Sequence, residues 1–398
     1  MDVKEEDLQG FKYASALFGM LSEFHTIADH RNRELHYDEY IVLILLYFFN
    51  PVLTSLRSIQ QASTLEKVQR LLKVKAASLG SLSEASQVFD AQHLVPVIRE
   101  LARQALPIET DTRLKDIERS IVAVDGTLLR ALPRMLWALW LNDENRAAKL
   151  HLALDIKSSM PQGAVITHGT ANEKTVLREH FMGPDKLFVL DAGYAEYKLF
   201  SEITYHKSSF VVRIRDNAVW EVVEERPLRE EDLDAGVQRD MIAWLGCESK
   251  REDLSSPVRI IEVFHRGDPN LPRRSHASSK KTLRTAQSDY SFLLVTDCMD
   301  LSAEVIALLY RYRWQIELFF RWFKCVLNCK HLLAQSHNGV SIQVYCALIA
   351  SMLITLWTGR KPTKRTFEML SFYFMGWANK EELFTHIKKL NEQEIKKT

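Results

Sequence analysis

Apolar residues recur at helical spacing from Glu34 to about Ile108. Prolines and a glycine interrupt this pattern, which favours several short helices over one long helix. Ser81 and Glu84 have the spacing of a capping box, so they predict a helix start. The first part of the chain is therefore predicted to be all-helical. Its helices are expected around Tyr40–Phe49, Ser55–Leu72, Ser83–Phe89 and His93–Leu106.

From Ser120 the pattern changes to short apolar runs, which predict buried strands. Three runs follow one another closely, and the first is expected to end at Asp125. A helix at about Glu173–Phe181 then precedes a strand that ends in a carboxylate, and a fifth strand follows. This order is that of a ribonuclease-H-like α/β sheet. The predicted strands are SIVAVDGTLL, MLWALWL, LHLALDI, LFVLD and SFVVRIR.

The segment from Asp216 to about Ser288 departs from this scheme. It contains an acidic stretch, two predicted strands and a loop between Arg273 and Arg284 that holds five cations and no acid. We interpret the segment as an inserted, largely β subdomain. The loop is suited to phosphate contact, and a solvated surface loop explains it equally well. One long helix is then predicted from Ser302, its N-cap, to about Asn328.

Composition narrows the class of protein only slightly. With 46% hydrophobic and 26% charged residues and a net charge of +1, the chain has the composition of an ordinary globular protein. Only the local distribution of charge can therefore indicate a binding partner. The five cysteines form no CxxC pair, which favours a reducing compartment. No signal peptide is indicated, and Tyr40–Phe49 is too short to span a bilayer, so no membrane role is expected.

Two aspartates are placed for metal-dependent chemistry. Asp125 and Asp191 each close an apolar strand and precede a small turn, DGT and DAGY. A single Asp at such a place is usually a turn former or helix cap. Two on neighbouring strands favour a shared site, because open α/β sheets bind ligands at this edge. Phosphodiester cleavage at two divalent cations needs about three converging carboxylates.

The third carboxylate is expected on the long helix. Tyr310, Arg313, Glu317 and Lys324 have offsets that place them within a sector of roughly 60° on an α-helix. Such a face alone is usually a salt-bridge ladder. Apolar residues on the opposite side show that the helix is packed with its polar stripe in a defined direction. Glu317 would then complete a metal site with Asp125 and Asp191. The expected ion is Mg²⁺, with Mn²⁺ able to substitute, since the ligands are carboxylate oxygens.

These motifs resemble the YREK signature and the two Asp motifs, AVDGT and VLDAGY, of bacterial insertion-sequence transposases of the insertion sequence four family. SLRSIQQAS and SLSEASQVFD resemble the amino-terminal region of that family. The resemblance covers about residues 55 to 350. It implies a DDE transposase with the catalytic triad Asp125, Asp191 and Glu317. It also implies DNA-end contacts from Tyr310, Arg313 and Lys324.

The resemblance further implies a ribonuclease-H-like core with a β-rich insertion and an all-helical N-terminal domain. Ala192 stands where relatives often have a basic residue, which puts the usual phosphate contact there in question. An aromatic that holds a flipped base would be Trp220 or Trp244. The expected division is 1–118 helical and DNA-binding, 119–216 core, 217–288 insertion, 289–338 core with the Glu helix, and 339–398 helical.

The predicted function is strand cleavage at transposon terminal inverted repeats followed by 3′-hydroxyl transfer into target DNA. The expected partners are double-stranded DNA and a second copy of the chain, in a homodimeric synaptic complex. A cytoplasmic, nucleoid-associated location in bacteria is expected. Two alternatives remain: a catalytically silent DNA-binding regulator, and a structure-selective nuclease that hydrolyses without joining.

Other groups of residues give weaker predictions of function. Cys325, Cys329 and His331 have no fourth ligand nearby in sequence, so zinc is not expected. Thr127 is interpreted as a turn or cap residue. Two basic regions could either contact DNA phosphates or be solvated faces. They are the helical stretch with Arg57, Lys67, Arg70, Lys73 and Lys75, and the GRKPTKR tail.

Overall fold

The computed structural model is a mixed α/β protein with a large sheet and many helices. The basic loop at 273–284 and Cys329 lie outside the residues that the structure describes. The described residues are 20–21, 23–26, 34–50, 52–108, 111–131, 134–138, 146–246, 254, 256–267, 289–325 and 331–395.

Nine strands are present within these residues. They are β1 Ser120–Arg130, β2 Ala147–Asp155, β3 Pro161–His168, β4 Lys186–Leu190, β5 Ser209–Ile214, β6 Trp220–Glu225, β7 Val237–Leu245, β8 Val258–His265 and β9 Tyr290–Thr296. Their hydrogen-bonded order is β3-β2-β1-β4-β5-β9-β8-β7-β6.

The described residues contain thirteen α-helices. They are α1 Tyr37–Phe49, α2 Leu56–Ser63, α3 Glu66–Leu72, α4 Leu79–Val88, α5 Leu94–Arg103, α6 Glu173–Val176, α7 Tyr197–Tyr205, α8 Glu230–Asp234, α9 Ala303–Tyr312, α10 Trp314–Cys325, α11 His337–Thr358, α12 Lys364–Phe374 and α13 Lys380–Ile395. The 3₁₀ turns are Glu23–Thr26, Ala91–His93, Thr112–Leu114 and Ala192–Tyr194, and Leu177–Phe181 is a π-turn.

The chain forms two compact units. The first comprises Met1–Thr110, Gly126–Asn172 and Glu317–Thr398, and the second comprises Asp111–Asp125 and Glu173–Ile316.

In the first unit the helix α11 is the central element. It packs against α1, α4, α5 and β3, and almost all of its side chains are buried. Asn338 at its start donates to the carbonyls of Ser86 and Phe89 and accepts from the amide of Ala91. By length and apolarity α11 could cross a membrane, but 94% of its apolar window is buried inside the protein, as in a core helix.

The predicted helices of this unit are confirmed, with two corrections. The expected helix Ser55–Leu72 is divided at Thr64 into α2 and α3. The expected capping box at Ser81 is wrong, because Ser78 caps α4 by accepting a hydrogen bond from the amide of Ser81. A serine three residues earlier supplies the same hydroxyl acceptor, and the sequence pattern did not distinguish them.

In the second unit the first strands run parallel and the later ones antiparallel. β1 pairs in parallel with β4, and β4 with β5, whereas β9, β8, β7 and β6 follow in antiparallel order. The predicted insertion segment therefore contributes three strands, β6, β7 and β8, where two were expected. The helix α9 packs on β4, β5, β7 and β8.

Three expectations about strands are wrong. β1 does not end at Asp125 but continues to Arg130, which places Thr127 in a strand and not in a turn. The described part of MLWALWL, residues 135–138, forms turns, and the rest lies outside the described residues. The strand β3 was not predicted at all. Its first residue is a proline, which is tolerated at a strand start although it weakens the strand pattern.

The predicted long helix from Ser302 is two helices. α9 ends at Tyr312 and α10 begins at Trp314, with Arg313 between them. The amide of Arg313 bonds the carbonyl of Tyr310, and the amide of Ile316 bonds the carbonyl of Arg313. These i to i+3 bonds tighten the backbone locally, while Arg313 keeps a right-handed helical conformation. The shared face of Tyr310, Arg313, Glu317 and Lys324 stays a prediction. Ser302 is the N-cap, as predicted.

A buried ion pair joins β7, β8 and the start of α9. Arg259 is 1% exposed and binds both carboxylate oxygens of Asp240, at 2.8 and 2.7 Å. Its guanidinium also donates to the carbonyls of Cys298 and Leu301, in the loop before Ser302. The donors and acceptors of the pair are thereby satisfied, as a buried charge requires.

We expect Arg259→Ala to lower the free energy of unfolding by about 3 kcal/mol, because it leaves the buried Asp240 with only the longer ion pair to Arg226, at 3.9 Å. Arg239→Ala is the matched control, since Arg239 on β7 pairs with Glu225 at an exposed position. That change should cost about 1 kcal/mol or less. Urea unfolding of both variants measures the difference. Equal, small effects would show that the pair does not hold this region.

Candidate active site

Asp125 lies in β1 at the level of Asp191. The parallel register pairs Ala123 with Val189 as the last match between β1 and β4. Two residues further along each chain stand Asp125 and Asp191, and the backbone of Asp191 is still extended. Because side chains alternate along a strand, both aspartates lie on the same face as this last pair. Both are partly exposed, whereas the residues before them are buried.

Asp191 also organises the turn that follows β4. Its carboxylate oxygen Oδ1 accepts a hydrogen bond of 2.8 Å from the amide of Gly193. It thereby caps the 3₁₀ turn Ala192–Tyr194. A Cβ at Gly193 would lie 3.0 Å from the same oxygen, so a side chain there would crowd the carboxylate. The turn predicted from the DAGY motif is confirmed.

Arg313 brings a positive charge to this pair. Its Nη1 atom lies 4.0 Å from Oδ2 of Asp125, and the two side chains are 13% and 21% exposed. An ion pair this sheltered is screened less by solvent than a surface pair. The guanidinium also lies over the ring of Tyr310, 5.7 Å from its centroid.

Tyr310 sits in a row of aromatic and cationic groups. Its ring is 5.5 Å from the ring of Phe292 on β9, and the guanidinium of Arg213 on β5 lies 5.3 Å from Phe292 on the same row. Burial raises the pKa of Tyr310, an effect that Arg313 and Arg213 oppose. The phenol is therefore neutral near pH 7 and can donate a hydrogen bond.

Glu317 and Lys324 lie on α10, in the first unit. They are seven residues apart, so they share one face of that helix. The Nζ atom of Lys324 donates a hydrogen bond of 2.8 Å to the hydroxyl of Thr127 on β1. Glu317 is partly exposed. The predicted shared face therefore holds for these two residues, within α10.

Among the described residues, no group of three or more His, Cys, Asp and Glu side chains is placed to hold a metal ion. The structure pairs Asp125 with Asp191 and places Arg313 and Tyr310 beside them. Glu317 stays the predicted third carboxylate.

Two features of this region were not selected from the sequence. Tyr194 is the last residue of the DAGY motif, and its ring is buried at 1% exposure beside the aspartates. Arg213 was also overlooked. It is the only charged residue in the β5 run SFVVRI, and its guanidinium lies over two aromatic rings of β9. A charge within an apolar strand is the signal that could have found it.

The model of the Transposase DDE domain family matches residues 116–353 of the chain, which is more than half of its length. The chain belongs to this family. Asp125, Asp191 and Glu317 all fall inside the matched region. The predicted resemblance to DDE transposases of insertion sequences is thereby confirmed.

Two relatives are named as transposases. The protein y4zB of Sinorhizobium fredii is 29% identical over 215 residues, which are 54% of this chain and 54% of the relative. A protein of Geobacillus stearothermophilus, named for the insertion sequence element IS5377, is 28% identical over 240 residues, 60% of this chain and 56% of the relative. The chain thus spans about half the length of these two relatives.

A third relative aligns over more of its length, and one solved structure aligns over nearly the whole chain. A Synechocystis protein named for the element IS4SA is 22% identical over 341 residues, 85% of this chain and 89% of the relative. The structure is of a piggyBac transposase in a synaptic complex with hairpin DNA. The alignment covers 97% of this chain and 82% of the chain in that structure, with 11% identity and a TM-score of 0.41.

Asp191 is a predicted metal ligand and also caps the turn after β4, and the second role gives a prediction about stability. We expect Asp191→Ala to be less stable than Asp191→Asn by about 1 kcal/mol, because an Asn oxygen can still accept from Gly193 whereas Ala cannot. Thermal unfolding of the two variants in EDTA measures the difference. Equal stability would mean that the 2.8 Å hydrogen bond to Gly193 does not hold the turn.

Proposed function

We propose that this chain is a DNA transposase that cleaves strands at transposon terminal inverted repeats and transfers the freed 3′-hydroxyls into target DNA. The observation that carries the proposal is the level placement of Asp125 and Asp191 on adjacent parallel strands, inside the region matched by the family. The chemistry is phosphodiester hydrolysis followed by transesterification.

We propose a ribonuclease-H-like catalytic core for this activity. Residues 119–216 and 289–338 would form it, 217–288 the β-rich insertion, 1–118 the helical DNA-binding region and 339–398 a helical C-terminal region. In the described residues, parallel pairing of β1, β4 and β5 and antiparallel strands in the insertion support this assignment.

DDE transposases use divalent metal ions, and the ion proposed here is Mg²⁺, with Mn²⁺ able to replace it. Asp125 and Asp191 fit such an ion, because both offer carboxylate oxygens and both are partly exposed. Glu317 is the proposed third ligand. A divalent cation supplies Lewis-acid stabilisation of the charge that develops on the phosphate oxygens.

The proposed DNA contacts are Tyr310, Arg313 and Lys324. Arg313 and Lys324 would hold phosphates near the scissile bond, and Tyr310 would donate to a phosphate or stack on a base. The neutral phenol of Tyr310, packed on Phe292, supports its part in this proposal. Five exposed cations in α2, α3 and the residues after α3 are further candidates for phosphate contact. They are Arg57, Lys67, Arg70, Lys73 and Lys75.

The proposed partners are double-stranded DNA at the element ends and at the target, and a second copy of the chain in a homodimeric synaptic complex. The proposed location is the bacterial cytoplasm, in association with the nucleoid. The burial of the apolar helix α11 inside the first unit is consistent with that location.

The proposed activity predicts that Glu317→Gln abolishes chemistry but retains DNA binding, because it removes one ligand charge with little change in shape. A labelled duplex ending in the element's own terminal repeat is incubated with Mg²⁺ or Mn²⁺, and nicked and joined products are separated on denaturing gels. Losses of at least about a hundredfold are expected.

Glu368→Gln is the matched control, since Glu368 lies on α12 in a surface pair with Lys364. It should cleave and join like the native chain. Hydrolysis without joining would replace the proposal with a structure-selective nuclease. Binding without any metal-dependent chemistry would indicate a silent regulator.

A phosphate contact by Lys324 predicts a change in the salt dependence of DNA binding. We expect Lys324→Gln to weaken binding to every DNA end alike and to reduce the slope of log K against log salt by about one. Fluorescence anisotropy over a range of KCl concentrations measures the slope. Lys207→Gln, a change at an exposed lysine outside the proposed DNA-binding regions, is the control and should leave it unchanged. An unaltered slope in Lys324→Gln would remove Lys324 from the interface.

A further inference from the structure

Tyr194 carries a buried hydroxyl that no described residue binds. The side chain is 1% exposed, and its hydroxyl oxygen is inaccessible to solvent and lacks a hydrogen-bond partner among the described residues. Its backbone is fixed, since the amide of Tyr194 donates to the carbonyl of Asp191 at 3.2 Å. A buried donor without an acceptor is unfavourable, so its retention calls for a reason.

The groups around this hydroxyl are mostly acidic. Burial raises the pKa of Tyr194 well above its ordinary value, and the carboxylates of Glu173, Asp125 and Asp191 raise it further, in that order. The guanidinium of Arg313 opposes them. The phenol therefore keeps its proton at neutral pH and can act as a hydrogen-bond donor.

Position along the chain places Tyr194 next to these two aspartates. Tyr194 ends the 3₁₀ turn that Asp191 caps, three residues after that aspartate. Asp125 stands level with Asp191 on the neighbouring strand. One oxygen of Asp191 is engaged by the amide of Gly193, and a carboxylate has further lone pairs that can accept.

We propose that Tyr194 is a positioning residue whose hydroxyl donates a hydrogen bond to a carboxylate of the Asp125–Asp191 pair and so orients that pair for a divalent cation. The inference rests on the proposed function. Hydrogen bonds in catalytic sites are often long and shorten when the site engages its ligand. Outer groups that orient metal-binding side chains commonly change metal affinity or activity by 10–100-fold when removed.

Tyr194→Phe tests this inference, because it removes only the hydroxyl and keeps the buried ring. Mn²⁺ binding to the full chain, without DNA, is followed by the electron paramagnetic resonance signal of free Mn²⁺. We expect the dissociation constant to rise about tenfold. Tyr205→Phe is the matched control, since Tyr205 belongs to the same unit and is 85% exposed, and its affinity should be native.

A second measurement separates positioning from a structural role. The midpoint of thermal unfolding in EDTA should be unchanged or slightly higher in Tyr194→Phe, since a buried unpaired hydroxyl has been removed. A lower midpoint in EDTA, or native Mn²⁺ affinity, would overturn the inference.

Asp125→Asn distinguishes this inference from the proposed function. If that change abolishes Mn²⁺ binding while Tyr194→Phe binds normally, the metal site stands and the role of Tyr194 is overturned. If Asp125→Asn leaves Mn²⁺ binding intact, both proposals about this site are overturned. If Mn²⁺ binding depends on both residues but the native chain neither cleaves nor joins DNA, the inference stands and the transposase activity does not.

Discussion

The parallel pairing of β1 with β4 is the constraint on which the candidate site depends. Residues Ile121–Val124 and Leu187–Leu190 are almost completely buried, so each strand is held by apolar contacts on both faces. A slip of one residue in register would move every side chain to the other face. The burial of these strands therefore also fixes the relative height and direction of Asp125 and Asp191. The geometry of the acidic pair follows from hydrophobic packing two residues before it.

This part of the site could be predicted from the sequence, because it needs only local information. At Asp191 an apolar run followed by Asp and a small turn identifies the end of β4, and the Asx turn has the predicted form, whereas Asp125 lies within β1. The end of the helix that carries Tyr310 was harder to predict from the sequence. RYRWQI contains no proline or glycine, so nothing in the residues marks the break at Arg313. The α9 helix packs on the strands of the second unit, and such tertiary packing routinely overrides local propensity.

The strand errors have a related origin. MLWALWL is as apolar as a buried strand, yet its described residues form turns in which Met135 and Ala138 are fully buried. Apolar content alone reports burial and not conformation. β3 shows the converse, since Pro161 and Gly163 obscure a strand that β2 holds by antiparallel pairing. Pairing with a neighbouring strand supplies information that a single run of residues lacks.

The electrostatics of the acidic pair give Arg313 a second role beside phosphate contact. Two neighbouring carboxylates repel each other, whereas a cation nearby stabilises their charged forms. Arg313 lies 4.0 Å from Asp125 and is itself 13% exposed, so its charge acts on the pair through a sheltered environment. A guanidinium has five donors in a rigid fork and keeps its charge throughout the physiological range. This geometry allows one guanidinium to bind a carboxylate and an anion together. A lysine would offer one point of charge in place of this fork, which explains why the residue between α9 and α10 is suited to arginine.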